Sequence, residues 1–260
     1  MQPDQRVRDY VDAGGVRTYY EIVGEGEPVI LLHGGMCTLE TWAPQIPALA
    51  AKYRLIIPER RGHGRTADVA GPMTYEIMAT DAIAFITALH IESAHLVGWS
   101  DGALVGLLVA MQRPDLVKKL CYISQPINFA GLRPKYRAMS AQLTREHLPP
   151  MFEPAYAAVS PDGPAHYPVI ADKMVALWRQ DPGITLDRLQ TVQTPTLVLV
   201  GDDDMQTVAH AVDMQEALPH AQLAVVPGTS HALAMEKPEI VNRLLLDFLQ
   251  PEQPRKLFGS

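Results

Sequence analysis

One serine of the chain stands in a sequence context that could make it a nucleophile. Residues 98–102 read Gly-Trp-Ser-Asp-Gly, which matches the pattern G-x-S-x-G around Ser100. That pattern needs a strand before it and a helix after it, and the apolar runs 94–97 and 103–111 are suitable for both. The flanking glycines permit a tight turn. We therefore predict that Ser100 lies above a sheet at a helix N-terminus, where developing negative charge is favoured.

A serine hydroxyl is a weak nucleophile and needs a base that a third group orients. An acid and a histidine follow Ser100 in that order, each just after a predicted strand. His231 comes after the apolar run 223–226, and three aspartates come after the run 196–200. We favour Asp204 as the acid because it lies furthest along the loop. The other two, Asp202 and Asp203, are predicted to be solvated turn residues.

Negative charge on a reacting carbonyl oxygen must be stabilised by fixed donors. Residues 33–36, His-Gly-Gly-Met, follow the apolar run 29–32. The backbone N–H of Gly35 or Met36, together with that of Asp101, is the predicted oxyanion hole. The Asp101 side chain has two interpretations. It could interact with the helix dipole as a first-turn acid, or it could face the pocket and attract a cationic substrate group.

Other cofactor chemistry has little support in the sequence. The remaining histidines form no recognisable metal-binding spacing, and His63, in the turn 61–64, is predicted to be structural. No P-loop and no dinucleotide-binding glycine pattern is present. We therefore predict neither a metal nor an organic cofactor.

The elements that must position these residues alternate along the chain. Short apolar runs typical of buried strands are separated by helical patterns, which indicates a mostly parallel twisted sheet with helices on both faces. The alternation stops between residues 125 and 190, which hold many prolines and bulky apolar side chains. We interpret residues 1–124 and 191–260 as the core and residues 125–190 as a helical insertion, called the lid below. Residues predicted to bind substrate are Trp99, Asp101, Met151, Phe152, Tyr156 and Trp178.

These motifs together resemble the α/β-hydrolase superfamily, in particular its lidded serine hydrolases. The similar features are residues 33–35, 58–64, 98–102, 195–204 and 227–231, and they span nearly the whole chain. The pentapeptide around Ser100 is similar to the biphenyl-hydrolase-like and carboxylesterase branches. The resemblance implies an α/β-hydrolase fold with a helical lid inserted after the sixth strand. The sequence departs from the family at Glu59, where aspartate is usual.

The predicted function is hydrolysis of carboxylic esters or lactones through an acyl-enzyme, with Ser100 as nucleophile, His231 as base and Asp204 as orienting acid. Three alternatives use the same residues or the same fold. They are carbon–carbon bond hydrolysis of a diketone, a perhydrolase or haloperoxidase-like activity, and a ligand receptor with little turnover. The sequence does not identify the substrate.

Composition limits the partners. The 22 basic and 29 acidic residues give a net charge of −7, which disfavours binding to nucleic acid or anionic membranes. Residues 1–5 have no apolar segment of a signal peptide, and the longest apolar run, 103–111, is too short to span a bilayer. The two cysteines, Cys37 and Cys121, are expected to be free thiols in a reducing cytoplasm. We expect a cytoplasmic monomer or homodimer.

Overall fold

A computed structural model of the protein describes residues 6–251. Residues 1–5, in which we predict no signal peptide, lie outside this range. The described chain alternates strands and helices and ends in an amphipathic helix. The strands are β1 Val7–Ala13, β2 Val16–Val23, β3 Glu27–Leu32, β4 Tyr53–Pro58, β5 Ala94–Trp99, β6 Val117–Ile123, β7 Thr196–Gly201 and β8 Ala221–Val226. The helices are α1 Ile46–Ala50, α2 Tyr75–Ala88, α3 Asp101–Gln112, α4 Pro134–Gln142, α5 Phe152–Val159, α6 Tyr167–Trp178, α7 Leu186–Leu189, α8 Val208–Ala217, α9 Leu233–Glu236 and α10 Pro238–Leu249.

The strands form one eight-stranded sheet in the order β1-β2-β4-β3-β5-β6-β7-β8. Only the β1–β2 and β2–β4 pairs are antiparallel; β3 to β8 pair in parallel. The predicted α/β-hydrolase fold with a mostly parallel sheet is confirmed. Because parallel strands end at the same edge, the loops after β3, β5, β6, β7 and β8 meet there.

The central strands are buried on both faces, which explains why their sequences read as continuous apolar runs. In β3, Ile30 and Leu32 pack into one hydrophobic cluster with α2 and α3, whereas Val29 and Leu31 pack into a second cluster with α1 and α10. Consecutive side chains of a strand point to opposite faces, so one strand contributes to both layers of the core. This burial fixes the register of the strands and therefore the positions of the loops beyond them.

The first strand was not among the sequence predictions. β1 lies at the edge of the sheet, and its residues 7–10 are exposed, so it lacks the apolar signal of the central strands. It pairs with β2 through a tight turn at Gly14 and Gly15, which have φ values of 59° and 85°. Positive φ at both central residues is typical of a two-residue hairpin turn. The Gly-Gly pair was therefore the feature of the sequence that could have predicted this hairpin.

Residues 125–190 contain helices α4 to α7 and short 3₁₀ turns, with no strand. Helix α6 is the most buried of these helices, with Ile170 and Met174 fully covered. An ion-pair cluster attaches the lid to the loop after β4, because Asp68 accepts hydrogen bonds from Lys173 at 2.7 Å and from His166 at 2.9 Å. The treatment of this stretch as a separate unit stays a prediction.

Candidate active site

Ser100 lies in the sharp turn between β5 and α3. Its φ of 56° and ψ of −127° are unusual for a residue with a side chain. A Cβ atom at Gly98 would lie 2.2 Å from the carbonyl oxygen of Gly102, and one at Gly102 would lie 2.1 Å from that of Leu32. Both glycines are therefore required by the close approach of the backbone rather than by positive φ. The Ser100 N–H donates to the carbonyl of Ile123 at 2.9 Å, which fixes the turn against β6.

Two hydrogen bonds join Ser100, His231 and Asp204. His231 Nε2 lies 3.0 Å from Ser100 Oγ, and His231 Nδ1 lies 3.0 Å from Asp204 Oδ1. Since an ionised carboxylate can only accept, Nδ1 carries the proton toward Asp204 and Nε2 is free to accept the serine proton. The three side chains come from the loops after β5, β7 and β8. Their arrangement is that of a nucleophile, a base and an orienting acid.

Asp204 is fully buried and held on both oxygens. Burial raises the pKa of its carboxyl, but the hydrogen bonds from His231 and Ser124 and the charge of His231 together lower it by more, so the pKa lies below the ordinary aspartate value. The Ser124 hydroxyl donates to Asp204 Oδ2 at 2.5 Å. Ser124 was missed in the sequence, where a serine after an apolar strand carries no recognisable motif.

The neighbouring aspartates have other positions. Asp202 accepts a hydrogen bond from the Thr229 N–H at 3.0 Å and so supports the loop that carries His231. The side chain of Asp203 is 81% exposed and lies 3.8 Å from Arg133. His231 is hydrogen-bonded to Asp204 and to neither of these two aspartates; Asp203 is exposed as predicted for a solvated turn residue, whereas Asp202 also has a structural hydrogen bond.

The loop after β3 lies beside Ser100, and buried polar groups fix its backbone. Arg60 donates to the carbonyls of His33 and Gly34, the latter at 3.0 Å. His33 Nε2 accepts from the Arg60 N–H at 3.2 Å, so its Nδ1 carries the proton that is donated to the Gly34 carbonyl at 2.7 Å. In a trans peptide the N–H points opposite to the carbonyl. The Gly35 N–H is therefore directed away from Arg60.

The predicted oxyanion residues do not share one environment. Gly35 and Asp101 line the same cavity as Ser100. Met36 is buried, has a φ of 55° and packs into the hydrophobic core rather than lining the cavity. Arg60 lies in the stretch 58–64 that carries the family resemblance, but its role in fixing the loop after β3 was not predicted, because its partners are backbone carbonyls of another strand's loop.

The Asp101 carboxylate lies beside the nucleophile but is occupied by protein donors. It is 1% exposed and accepts hydrogen bonds from Tyr75 Oη at 2.7 Å and from Trp178 Nε1 at 2.9 Å. Trp178 is the last residue of α6. One carboxylate thus joins the turn at Ser100 to α2 and to the lid. The close packing extends to Gly35, where a Cβ atom would lie 2.2 Å from Asp101 Oδ2.

Trp99 supports the histidine loop as well as the cavity wall. Its Nε1 donates to the carbonyl of His231 at 2.8 Å, and the two rings lie 5.4 Å apart. Trp99 borders the cavity next to Ser100. Its indole N–H is therefore used inside the protein, and only its ring is presented to a ligand.

A cavity of about 410 Å³ opens above the three side chains, between the sheet edge and the lid. It is large enough for a small organic substrate. Most of its wall is apolar, and no lysine or arginine lines it within the described chain. Apolar residues of the lid that line it include Leu132, Tyr136, Met139, Leu143, Leu148 and Phe152.

Two predicted pocket residues lie away from this cavity, which corrects the predicted set. Met151 precedes α5 and is 63% exposed. Tyr156 is one helical turn beyond Phe152, so it shares the same helix face but meets α6 instead of the cavity. Its ring packs 5.9 Å from that of Tyr167. Phe152 and Trp178 do line the cavity.

Residues 6–251 contain neither a metal-binding cluster nor a membrane-spanning helix. No group of three or more histidine, cysteine, aspartate or glutamate side chains in this range is arranged to hold a metal ion. No helix in the same range is both long and apolar enough to cross a bilayer. Burial lowers the pKa of His63 to about 3, with the charge of Arg60 as a further cause, so this histidine is a neutral core residue.

Comparison with known proteins gives many relatives across the chain. A putative carbamate hydrolase, RutD, of Azorhizobium caulinodans is 27% identical over 260 residues, covering 92% of this chain and 97% of its own. Serine hydrolase BPHL of Mus musculus is 29% identical, covering 92% of this chain and 85% of its own. The solved meta-cleavage product hydrolase of Pseudomonas fluorescens superposes with a TM-score of 0.78 at 22% identity, covering 92% of this chain and 96% of its own. At that identity the structural match shows similarity of fold alone.

The family match agrees with the fold and covers most of the sheet. The model of the Alpha/beta hydrolase family matches residues 29–244, which include most of β3, all of β4 to β8 and all three residues of the hydrogen-bonded chain. Because this match covers most of the sequence, the protein belongs to the alpha/beta hydrolase family.

Proposed function

We propose that the protein is a serine hydrolase that cleaves carboxylic esters or lactones through an acyl-enzyme intermediate. The observation that carries this proposal is the continuous hydrogen-bonded chain from Ser100 through His231 to Asp204, with both links at 3.0 Å. Such a chain supplies what an unactivated serine lacks, which is a base held in the correct tautomer and orientation. The apolar cavity above it supports a small organic substrate.

The proposed reaction has two halves. Ser100 Oγ attacks the carbonyl carbon while His231 Nε2 takes the hydroxyl proton, which it then gives to the leaving alcohol. The N–H groups of Asp101 and of the Gly35 loop stabilise the oxyanion. Water then attacks the acyl carbon while His231 accepts its proton; the bond from that carbon to Ser100 Oγ breaks, the acid leaves, and the proton returns to Ser100 Oγ. Asp204 stays ionised throughout, orients His231 and stabilises its charged form.

The test combines labelling with turnover. A fluorophosphonate is expected to modify Ser100, and Ser100→Ala is expected to lose both labelling and ester hydrolysis, by several orders of magnitude, with an unchanged circular dichroism spectrum. Asp204→Asn is expected to cost about 10⁴-fold in kcat. The matched control is Asp203→Asn, whose side chain is exposed, and it is expected to stay within about threefold of the wild type.

Modification of a serine other than Ser100, or near-normal turnover in Ser100→Ala, would overturn the proposal. Labelling of Ser100 without turnover of any ester would favour a ligand receptor instead.

A carbamate is a second candidate substrate, because RutD of Azorhizobium caulinodans is named a putative carbamate hydrolase. The same chain of groups could attack a carbamate carbonyl, with the nitrogen or oxygen substituent as leaving group. A carbamate ester and a carboxylic ester of equal length, measured as kcat/KM on the same preparation, separate the two. Preference for the ester supports the first candidate.

A further inference from the structure

Gln125 lies where the sheet brings the three loops of the candidate site together. It follows β6, and β6 lies between β5, which carries Ser100, and β7, which carries Asp204. The preceding residue, Ser124, has a φ of 54°, donates its N–H to the carbonyl of Leu199 at 2.9 Å and bonds Asp204 through its hydroxyl. Gln125 is therefore fixed by its backbone at the centre of the sheet edge.

The side chain of Gln125 is buried and has no hydrogen-bond partner in the described chain. It is 9% exposed and lines the same cavity as Ser100 and His231. Other buried polar groups of the cavity wall use their hydrogen bonds internally, as Tyr75 does with Asp101 and Trp99 with His231. The amide atoms of Gln125 are not enclosed by protein, so the small exposed fraction of this residue lies in the cavity. The donor and acceptor of Gln125 are thus left for a ligand.

The charge of the cavity restricts that ligand. No lysine or arginine lines the cavity within the described residues, while the Asp101 carboxylate lies in its wall. An anionic group on the substrate would find no lysine or arginine there, only the histidines His147 and His231, and would lose its hydration. An uncharged group that both donates and accepts is therefore the best match for a primary amide, because two amides can form a pair of hydrogen bonds.

We propose that Gln125 binds an amide group close to the scissile carbonyl, so that the preferred substrates are neutral N-acylamino esters or lactones with an apolar acyl chain. This rests on the proposed function, because it assumes that Ser100 attacks the carbonyl. The apolar lid residues Leu132, Tyr136, Leu143 and Phe152 then receive the acyl chain beyond the amide. Gln125 determines specificity and takes no part in proton transfer.

The test compares two neutral esters with acyl chains of equal length, ethyl N-butanoylglycinate and ethyl heptanoate. Gln125→Met keeps the size of the side chain and removes its hydrogen bonds. We expect kcat/KM for the glycinate to fall about 10- to 100-fold, and that for the heptanoate to change by less than about threefold. For each ester, kcat/KM of the wild type is divided by that of the variant. The intrinsic reactivity of the ester cancels in this ratio, so the two ratios can be compared directly.

Two controls isolate the hydrogen bond. Gln142→Met makes the same change on the exposed surface of the lid and is expected to leave both rates unaltered. Ethyl N-butanoylsarcosinate, which lacks the amide N–H, is expected to react about tenfold more slowly than the glycinate with the wild-type enzyme. This second comparison needs no variant, so it remains decisive if Gln125→Met does not fold.

Equal falls on both esters in a Gln125→Met enzyme that still labels with fluorophosphonate would overturn the role of Gln125, as would equal wild-type rates on the glycinate and the sarcosinate. Failure of the proposed function itself has a different result, because the wild type would then hydrolyse neither ester and Ser100 would not be labelled.

Discussion

The carboxylate of Asp101 lies beside Ser100, where a free negative charge would oppose the formation of an oxyanion. Its oxygens accept hydrogen bonds from Tyr75 and Trp178, and the residue is almost completely buried. The nearby buried guanidinium of Arg60 interacts favourably with this charge. These contacts disfavour the interpretation in which Asp101 attracts a cationic substrate group, and the role they show, which is to join the turn at Ser100 to α2 and the lid, was not predicted from the sequence.

We therefore expect Asp101→Asn to affect cationic and neutral substrates alike. Asparagine keeps the shape but replaces one acceptor by an NH₂ group, which cannot accept from Trp178. The measurement is kcat/KM on an amino-acid ester with a free amine and on its N-acetylated form. The two rates are expected to fall by factors within about threefold of each other. A loss confined to the amine ester would show that Asp101 binds the cation.

The three residues of the hydrogen-bonded chain were predictable because each has a local signal in the sequence. Ser100 lies within a pentapeptide motif, and Asp204 and His231 each follow a strand. Ser124 and Gln125 have no such signal, and the motif that contains Arg60 does not reveal its partners, since the contacts of all three depend on which strands are neighbours in the sheet. β6 pairs with β7, which is late in the sequence, and that pairing brings Ser124 to Asp204.

At the scale of elements, only one of three neighbouring bulky residues at helix α5 lines the cavity. Phe152 lines the cavity, whereas the preceding Met151 is exposed to solvent. The prediction that bulky lid residues form part of the cavity wall therefore holds for the lid as a whole, but not for each residue. The sequence could not separate the two because helix orientation is set by the packing of α5 and α6.

The pair Phe152 and Met151 provides a matched test of the cavity wall. Phe152→Ala is expected to reduce kcat/KM for long acyl esters relative to acetyl esters by about tenfold, because apolar contact with the chain is lost. Labelling of Ser100 by a small fluorophosphonate is expected to keep its wild-type rate. Met151→Ala is the control and should leave the substrate ranking as it is. Equal losses in ranking and labelling would mean that Phe152 holds the fold instead.

At the scale of the whole molecule, burial determines how the protein responds to acid. Burial lowers the pKa of His33 well below its ordinary value and that of His63 to about 3, with the charge of Arg60 as a further cause in each. Both histidines lie in the loops that surround the site, and their rings are 5.2 Å apart. The folded state keeps them neutral, whereas the unfolded chain protonates them near their ordinary pKa.

Stability should therefore fall as the pH drops below about 6.5, since the unfolded state binds more protons. For His63 this window extends down to about 3. Each such histidine contributes a slope of about 1.4 kcal/mol per pH unit to the free energy of unfolding. Urea unfolding between about pH 7 and pH 5 measures how the free energy of unfolding changes with pH. His63→Gln is expected to reduce that pH dependence by the contribution of one histidine. Identical slopes in both proteins would contradict the assignment.

The hydrogen bond between Ser100 and His231 joins positions 131 residues apart. During synthesis the strand and turn that carry Ser100 are complete long before the histidine exists. Until β8 docks on β7, the serine is an ordinary alcohol, unable to attack esters or to react with inhibitors of its own class. Chemical reactivity of the serine thus appears only when the last strand of the sheet is in place. The time course of fluorophosphonate labelling would therefore report when this final step of folding occurs, in a refolding reaction or on a ribosome.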